Sequence, residues 1–414
     1  MRHPSLEIAD VFGRFGADFM ARFGKSLSSQ QWKAIQDIEQ CRTAVLGGHK
    51  EECDQCGHEQ FAYNSCRNRH CPKCQGKARA RWTSKRIEEL LPVPYLHIVF
   101  TLPQILARLS LQNKRVMYDL LFQATSQTLL EIAADKKHLG ARIGFFSVLH
   151  TWGQRLEAHP HVHCVVPAGG LSSDRKRWIH CKRSKKSKKL FLAPVWVLSD
   201  VFRGKFIDLL RQSYLNGQLS FFGDLQALQQ RDEFERFLDA AVEKRWVVYA
   251  KPPFSNAQCA VKYLARYTHR VAIANSRLLN MDGNEVTFSW KDYRNGSMLR
   301  TMRLDGVKFI QRFLLHVLPK GMVRIRHFGM FCNRLRSDNL AICERLLGSR
   351  GRENEEEGEQ QRGTDTDGSA GEETKPCPHC KSGRMIVTET WERFQRIGQL
   401  TSLHRGLILA FNTS

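Results

Sequence analysis

Cysteines are concentrated near the amino end of this 414-residue chain. Six of the thirteen lie between residues 41 and 74, in the segment CRTAVLGGHKEECDQCGHEQFAYNSCRNRHCPKC. Two Cys-x2-Cys pairs in it are separated by fourteen residues, a spacing that is typical of a zinc ribbon closing one tetrahedral site. We therefore predict a structural Zn2+ bound by Cys53, Cys56, Cys71 and Cys74.

The same segment contains ligands for a second metal ion. An interleaved site would use two cysteines and two histidines, namely Cys41, His49, Cys66 and His70. A module this small gains much of its folding free energy from each bound metal. The alternative is that these four side chains only pack and form hydrogen bonds locally, and the sequence leaves the two interpretations open.

The net charge favours a polyanionic partner. The chain has 64 Lys and Arg against 41 Asp and Glu, a formal charge of +23, which suits nucleic acid. We expect DNA contacts from Arg67 and Arg69 in the cysteine module and from the run RKRWIHCKRSKKSKKLF, which includes Lys185 and Lys186. The alternative for both is a solvated basic surface.

Other partners and compartments are disfavoured. No apolar run reaches the ~18 residues of a membrane span, and the first residues lack the apolar core of a signal peptide. We expect a cytoplasmic protein that does not bind membranes and whose cysteines bind metal or pack in the core. The tripeptide GKS at 24–26 is not a phosphate-binding loop, because Phe19 stands where that motif needs glycine. No nucleotide cofactor is expected.

The pattern of apolar residues predicts an α+β fold with a central, largely antiparallel sheet flanked by helices. A helix is expected around residues 28–41, capped by Ser28 or Ser29. Runs of β-branched and aromatic residues predict strands at 95–102, 144–152, 161–168, 245–250, 270–278, 285–290 and 322–328. Asp-Gly within MDGN at 281–284 is a tight-turn signal that makes hairpin neighbours of its flanking strands.

Composition divides the chain into four segments. They are a zinc-binding module with an amino-terminal helix at 1–85, the main domain at 86–347, an acidic flexible linker at 348–375 and a short tail at 376–414. The tail opens with CPHC, which is half a zinc site at most. Cys332 and Cys343 would complete it only if the fold brings them close.

Two histidines on one predicted strand form a candidate metal site. His161 and His163 share a face, since alternate residues of a strand point to the same side. A hairpin through residues 151–160 would lay His150 beside them, which would complete a three-histidine site with open positions for substrate. His159, Gln154 and Glu157 compete with His150 for the third position.

Two tyrosines form a candidate nucleophile pair. Tyr263 and Tyr267 are four residues apart in a helical stretch, so their hydroxyls leave the same helix face. The surrounding Lys262, Arg266 and Arg270 suit phosphate binding and favour the phenolate. The alternative is an aromatic stripe that packs on the sheet.

Together, the histidine-valine-histidine strand, the downstream Tyr-x3-Tyr and the amino-terminal NSCRNRHCPKC resemble the HUH-type rolling-circle transposases of bacterial insertion sequences, which are related to Helitrons. The resemblance implies an HUH nuclease domain behind a zinc-binding module. It also implies that His161 and His163 bind Mg2+ or Mn2+, and that Tyr263 and Tyr267 attack single-stranded DNA of the element ends and target. The expected product is a 5′-phosphotyrosine with a free 3′-OH. His150 as third ligand is our inference from the residues.

Two other functions share some of these features. A plasmid replication initiator or relaxase of the HUH class would have the same histidines and tyrosines, and the zinc module argues against it. A non-catalytic zinc-ribbon DNA-binding protein would need neither group. We expect the transposase to act at the bacterial nucleoid, and the sequence leaves self-association open.

Overall fold

The computed structural model describes residues 6–184, 189–251, 272–293, 295–348 and 375–393. Within these ranges the helices are Ile8–Phe23 (α1), Ser29–Glu39 (α2), Gly76–Glu88 (α3), Ala107–Gln112 (α4), Lys114–Ala134 (α5), Val195–Leu215 (α6), Arg231–Val242 (α7), Gly306–Leu315 (α8) and Arg336–Leu347 (α9). None of these helices is long and apolar enough to cross a membrane.

The strands of the same ranges are Gly48–Cys53 (β1), Glu59–Tyr63 (β2), Tyr95–Thr101 (β3), Gly144–Trp152 (β4), Ala158–Pro167 (β5), Gly169–Leu171 (β6), Trp178–His180 (β7), Lys182–Arg183 (β8), Leu190–Phe191 (β9), Val248–Lys251 (β10), Leu278–Asp282 (β11), Glu285–Asp292 (β12), Met298–Asp305 (β13), Ile325–Gly329 (β14) and Met385–Trp391 (β15). Every ladder between them is antiparallel. The predicted α+β class with antiparallel sheets and flanking helices is confirmed.

The central sheet has five strands in the order β10-β3-β5-β4-β14. Alternation of side chains along β3, β4 and β5 places Phe100, Leu149 and Val162 on one face, where all three are fully buried. This face packs against α5 and α6 in the largest apolar core, with the ring centroids of Phe100 and Phe202 5.0 Å apart. The helices therefore cover this face of the central strands.

The opposite face divides into an apolar end and a polar end. At one end Tyr95, Phe146 and Val165 pack under α9 in a smaller core. At the other end the same face carries His150, His161 and His163. Since no helix among the described residues covers this end, it opens into a cleft.

The amino-terminal helices pack against the carboxyl side of the main domain. Helix α2 begins where predicted, because the Ser28 hydroxyl accepts a hydrogen bond from the Gln31 N–H and the Gln31 side chain accepts one from the Ser28 N–H. Phe12 of α1 meets Phe313 of α8 with ring centroids 5.5 Å apart. The amino-terminal helices and the carboxyl side of the main domain therefore share one apolar cluster.

Two three-stranded sheets lie outside the central sheet. In the order β11-β12-β13, Asp282 pairs with Glu285, and this leaves Gly283 and Asn284 as the loop of the hairpin predicted from MDGN. In the order β15-β1-β2, the strand of the tail pairs along β1. The tail and the amino-terminal module thus form one sheet.

Three of the predicted strands begin at least three residues later than expected, and one of these is largely wrong. Residues 275–277 of the expected strand 270–278 form a 3-10 turn, and pairing starts at Leu278. The cause is Asn275, whose side chain accepts the Ile8 N–H at the start of α1. Strand β10 starts at Val248, after Trp246 turns into the core and donates to the Ala241 carbonyl. The strand expected at 322–328 is Ile325–Gly329.

Candidate metal centre and nucleic-acid cleft

Three histidines converge on the open end of the central sheet. His150 and His161 are directly paired between β4 and β5, and His163 lies two residues further along β5. The ring centroids of His150 and His163 are 4.3 Å apart, and those of His161 and His163 are 4.9 Å apart. One ligand nitrogen of each histidine lies within 4.8 Å of the others. The hairpin expected from the sequence brings all three onto one face.

The competing side chains occupy other positions around this group. The His159 side chain contributes no ligand atom to the group. Its backbone carbonyl instead accepts a hydrogen bond from His161 Nδ1 at 2.6 Å. A Glu157 carboxylate oxygen accepts the Arg155 N–H at 2.8 Å. Gln154 Oε1 accepts a hydrogen bond from the Lys291 N–H at 3.4 Å. These contacts hold the turn between β4 and β5 beside the three histidines.

Hydrogen bonds orient two of the three rings. With the His159 carbonyl as acceptor, His161 Nδ1 carries the proton and Nε2 is the ligand atom. His163 Nδ1 lies 2.8 Å from Nε2 of His97, a fully buried residue of β3. A histidine that binds metal normally uses its second nitrogen in this way. His97 was not singled out by the sequence analysis, although strand alternation places it on the face of His163.

Burial keeps the His161 imidazole neutral. It lowers the pKa of His161 to about 3, and the neighbouring His159 acts in the same direction. Burial also lowers the pKa of His159. Since the neutral imidazole is the metal ligand, His161 remains in the ligand form at physiological pH.

The histidines line a cleft of about 1460 Å³. This volume exceeds the ~300–1,000 Å³ of a typical small-molecule pocket. Besides the histidines and Trp152, three aromatic residues line it, of which Tyr249 and Tyr293 are more than half exposed. The third, Trp290, has the guanidinium of Arg155 5.5 Å from its ring centroid. Exposed aromatic rings and cations are the groups on which single-stranded nucleic acids stack.

The predicted tyrosine helix lies outside the described residues. Tyr263, Tyr267, Lys262, Arg266 and Arg270 all fall in the range 252–271. The described residues on both sides of that range line the histidine cleft, with Tyr249 before it and Ala272, Ile273 and Ala274 after it. Lys185 and Lys186 of the basic run also lie outside the described residues.

The two arginines expected to contact DNA are both exposed. Arg67 has a left-handed backbone conformation with φ of 54°. Arg69 donates from Nη1 to the Met322 carbonyl at 2.6 Å, which ties the cysteine module to the main domain. Arg69 therefore has a structural contact in addition to any role toward DNA.

One cysteine cluster lies between α2 and α3. Its members are Cys41, Cys66, Cys71 and Cys74, whose sulfur atoms all lie within 4.8 Å of one another. The sulfur atoms of Cys66 and Cys74 are 3.7 Å apart, and the Cys66 N–H points to Cys41 Sγ at 3.5 Å. This arrangement corrects the predicted ribbon, because Cys71 and Cys74 meet Cys41 and Cys66 instead of Cys53 and Cys56.

The second cluster joins the amino-terminal module to the tail. Cys53 and Cys56 lie at the turn between β1 and β2, and their sulfur atoms approach those of Cys380 and Cys377, each at 3.7 Å. The prediction failed because β2 carries the chain away from this turn before Cys66 is reached. Cys332 and Cys343 do not join the CPHC pair.

The two histidines considered for the cysteine module form hydrogen bonds elsewhere. His49 Nε2 lies 3.1 Å from a carboxylate oxygen of Glu51. His70 Nε2 accepts the Leu318 N–H at 3.3 Å, and burial lowers the pKa of His70 to about 3. Of the two interpretations that the sequence left open, the histidines follow the second, since both form hydrogen bonds outside the cysteine cluster, whereas Cys41 and Cys66 belong to that cluster.

Comparison with known proteins identifies relatives for nearly the whole chain. Residues 144–339 match the family described as "Putative transposase", and residues 11–102 match the family "Transposase zinc-binding domain". "Putative transposase y4qJ" of Sinorhizobium fredii (strain NBRC 101917 / NGR234) is 48% identical over 393 residues, which cover 95% of this chain and 97% of the relative.

A second relative is more distant. "Transposase for insertion sequence element IS801" of Pseudomonas savastanoi pv. phaseolicola is 30% identical over 298 residues, which cover 71% of this chain and 68% of the relative. No solved structure matches the chain. The zinc-binding family and the cysteine clusters together support structural Zn2+.

Proposed function

This chain belongs to the insertion-sequence transposases that carry an amino-terminal zinc-binding domain, and on that premise we propose that it nicks and rejoins single-stranded DNA with a divalent metal and a tyrosine nucleophile. The reaction would proceed through a 5′-phosphotyrosine and drive rolling-circle transposition at the nucleoid. The observation that carries the proposal is the convergence of His150, His161 and His163 at the cleft.

The donor set fits a divalent metal. Three imidazoles with ligand atoms within 4.8 Å of one another suit Mn2+, Zn2+ or Fe2+ better than the oxygen-preferring Mg2+. We therefore propose Mn2+ as the preferred cofactor and Mg2+ as the ion used when supply favours it. When bound, the ion would polarise a phosphate oxygen and offset the charge that develops there.

The remaining chemistry belongs to Tyr263 and Tyr267. A deprotonated tyrosine oxygen would form a bond to the phosphorus of the scissile phosphodiester, and the bond from phosphorus to the 3′ oxygen would break. The leaving 3′ oxygen would take up a proton and become a hydroxyl. The ester energy is retained in the phosphotyrosine, so rejoining needs no nucleotide cofactor. The position of Tyr249 and Ala272 on the cleft supports this assignment, since they flank the tyrosine segment.

The cleft supports a single-stranded substrate. Tyr249, Trp290 and Tyr293 offer aromatic surface to unpaired bases, which a duplex would keep stacked internally. The chain's charge of +23 would hold the phosphate backbone and make binding weaken with added salt. Binding and cleavage thus depend on different residues and can be separated by mutation.

The test is incubation with labelled single-stranded element ends and Mn2+, followed by denaturing electrophoresis. His161→Ala combined with His163→Ala should abolish cleavage and leave DNA binding largely intact, because most phosphate contacts lie elsewhere. His138→Ala, which alters a histidine outside the cleft, is the matched control. Cleavage by the double variant at saturating Mn2+ would refute the metal site.

The tyrosines are tested in the same assay. Tyr263→Phe with Tyr267→Phe should form no covalent adduct, and at least one single variant should retain initial cleavage but fail complete transposition. Tyr214→Phe is the matched control, since its hydroxyl donates to the Gln229 carbonyl away from the cleft. Mass spectrometry should locate the nucleotide on Tyr263 or Tyr267, and an adduct on another residue would overturn the assignment.

A further inference from the structure

We propose that Cys53, Cys56, Cys377 and Cys380 bind a second structural zinc ion, which fastens the carboxyl-terminal tail to the amino-terminal module. We call this group the terminal clasp. The proposal does not depend on the nuclease reaction. The family match for zinc binding ends at residue 102 and contains only two of the four cysteines.

The sulfur positions have the dimensions of a zinc–thiolate site. A tetrahedron with Zn–S bonds of about 2.3 Å has sulfur atoms about 3.8 Å apart. The distances between Cys53 and Cys380 and between Cys56 and Cys377 are both 3.7 Å. A disulfide requires about 2.05 Å, so neither pair is bonded. All four sulfurs lie within 4.8 Å of one another.

Backbone N–H groups surround the sulfur atoms. The Gln55 and Cys56 N–H groups point to Cys53 Sγ, both at 3.5 Å. In the tail, the His379 N–H points to Cys377 Sγ at 3.4 Å and the Gly383 N–H to Cys380 Sγ at 3.2 Å. Such bonds stabilise thiolates, the form in which cysteine binds metal. Each half of the clasp has this arrangement.

The backbone holds the two halves face to face. Asp54 Oδ1 accepts the Arg384 N–H at 2.8 Å, and the Asp54 N–H donates to the Arg384 carbonyl at 3.1 Å. The ladder between β1 and β15 then runs from Cys53 and Met385 to Gly48 and Trp391. A Cβ on Gly383 would lie 2.4 Å from Cys53 Sγ, so this position admits only glycine.

Apolar packing is too small to hold the tail by itself. The buried cluster at the clasp consists of Cys53, Cys377 and Met385, with Cys380 packed against it. Even with the contacts of Trp391 to Phe61 and Tyr63, this is a small core for a separate segment, and small modules of this kind rely on metal binding for their folding free energy. Zinc would therefore supply most of the stability of the β1–β15 pairing.

The first test is metal stoichiometry of the full chain, purified in reducing buffer without chelator. In the background of His161→Ala with His163→Ala, which removes the histidine site, we expect two zinc ions per chain. Cys377→Ser with Cys380→Ser should retain one, and Cys66→Ser with Cys74→Ser should retain the other. Cys332→Ser, a cysteine outside both clusters, should retain two. A Cys377/Cys380 variant that still holds two zinc ions would overturn the proposal.

The second test examines the connection directly and remains informative if a cysteine variant misfolds. A protease site inserted between residues 352 and 374 allows the tail to be cut from the otherwise unchanged zinc-loaded protein. The tail fragment should co-elute with the rest of the chain in gel filtration and separate after chelation. A fragment that separates while two zinc ions stay bound would show that the clasp does not exist.

Discussion

Replacement of His97 by leucine should weaken metal binding at the histidine site without removing a ligand. His97 Nε2 lies 2.8 Å from His163 Nδ1, and His97 is fully buried. If His163 binds metal through Nε2, its Nδ1 proton is donated to His97, which fixes the orientation of the ring. Leucine fills a similar volume but accepts no hydrogen bond. The Nδ1–H of His163 would then lose this acceptor inside the protein.

The magnitude follows from that lost bond. A buried donor left unsatisfied costs about 1–3 kcal/mol. Loss of the hydrogen-bond partner of a metal ligand typically costs about 10–100-fold in metal affinity, or about 1.4–2.7 kcal/mol. We expect His97→Leu to raise the Mn2+ concentration for half-maximal cleavage by about 10–100-fold, with much of the rate recovered at saturating Mn2+. His97→Gln offers an oxygen near the position of Nε2, so it should restore most of the affinity.

The control is His70→Leu. His70 is also a buried histidine with one defined hydrogen bond, from the Leu318 N–H, and it lies outside the cleft. The His70→Leu substitution should lower the stability of the fold but leave the dependence of cleavage on Mn2+ concentration unchanged. Isothermal titration with Mn2+ measures affinity independently of cleavage. A folded His97→Leu protein that binds Mn2+ within twofold of the parent would refute the orienting role of His97.

Two further predictions concern stability. Gly329→Ala should lower the free energy of unfolding by about 1–3 kcal/mol, because Gly329 has φ of 61° and a Cβ there would lie 2.1 Å from the Ile143 carbonyl oxygen. Gly283→Ala, at φ of 50° with open space around it, should lower it by about 1 kcal/mol or less. Urea denaturation of both variants measures the difference, and equal losses would contradict the prediction. Stability in chelator should also fall as the pH drops from about 6.5 to about 4, because four histidines are hard to protonate in the folded state and take up protons on unfolding. Burial lowers their pKa values to about 3 for His70 and His161 and to about 4 for His316 and His327. Urea midpoints at pH 7 and pH 5 test this, and a higher midpoint at pH 5 would contradict it.

The central sheet was predictable because its strands are marked by local runs of β-branched and aromatic residues. Strand β4 has the predicted bounds, and the short connection to β5 permits little besides a hairpin. Pairing of His150 with His161 follows from that hairpin once the loop closes. His97 was harder to find, since it reaches His163 only through the pairing of β3 with β5, two strands separated by more than fifty residues.

Local patterns failed where a distant contact decided the conformation. Ala272 and Ile273 read as part of a strand, but both are buried in the cluster formed with the amino-terminal helices. The Asn275 side chain is hydrogen-bonded to the start of α1, and the strand therefore begins only after it, at Leu278. β-propensity describes how a side chain fits a half-buried pleated surface, and here a helix end over 260 residues away holds the Asn275 side chain in a turn.

The cysteines show which part of a metal site is determined by the spacing of its ligands in the sequence and which part is not. A Cys-x2-Cys turn positions two sulfurs and their N–H donors locally, so each pair could be recognised as half of a site. Which halves meet depends on strand pairing. The strand β2 runs from the Cys53 turn to Tyr63, and five residues in extended form at about 3.3 Å each move the chain by about 17 Å. Cys71 and Cys74 are thereby placed near Cys41, at the far end of the hairpin, and the turn of Cys53 is left for a partner that arrives from the tail. The meeting of Cys53 and Cys56 with Cys377 and Cys380, more than 300 residues away, therefore depends on the pairing of β1 with β15 and not on the spacing of the cysteines.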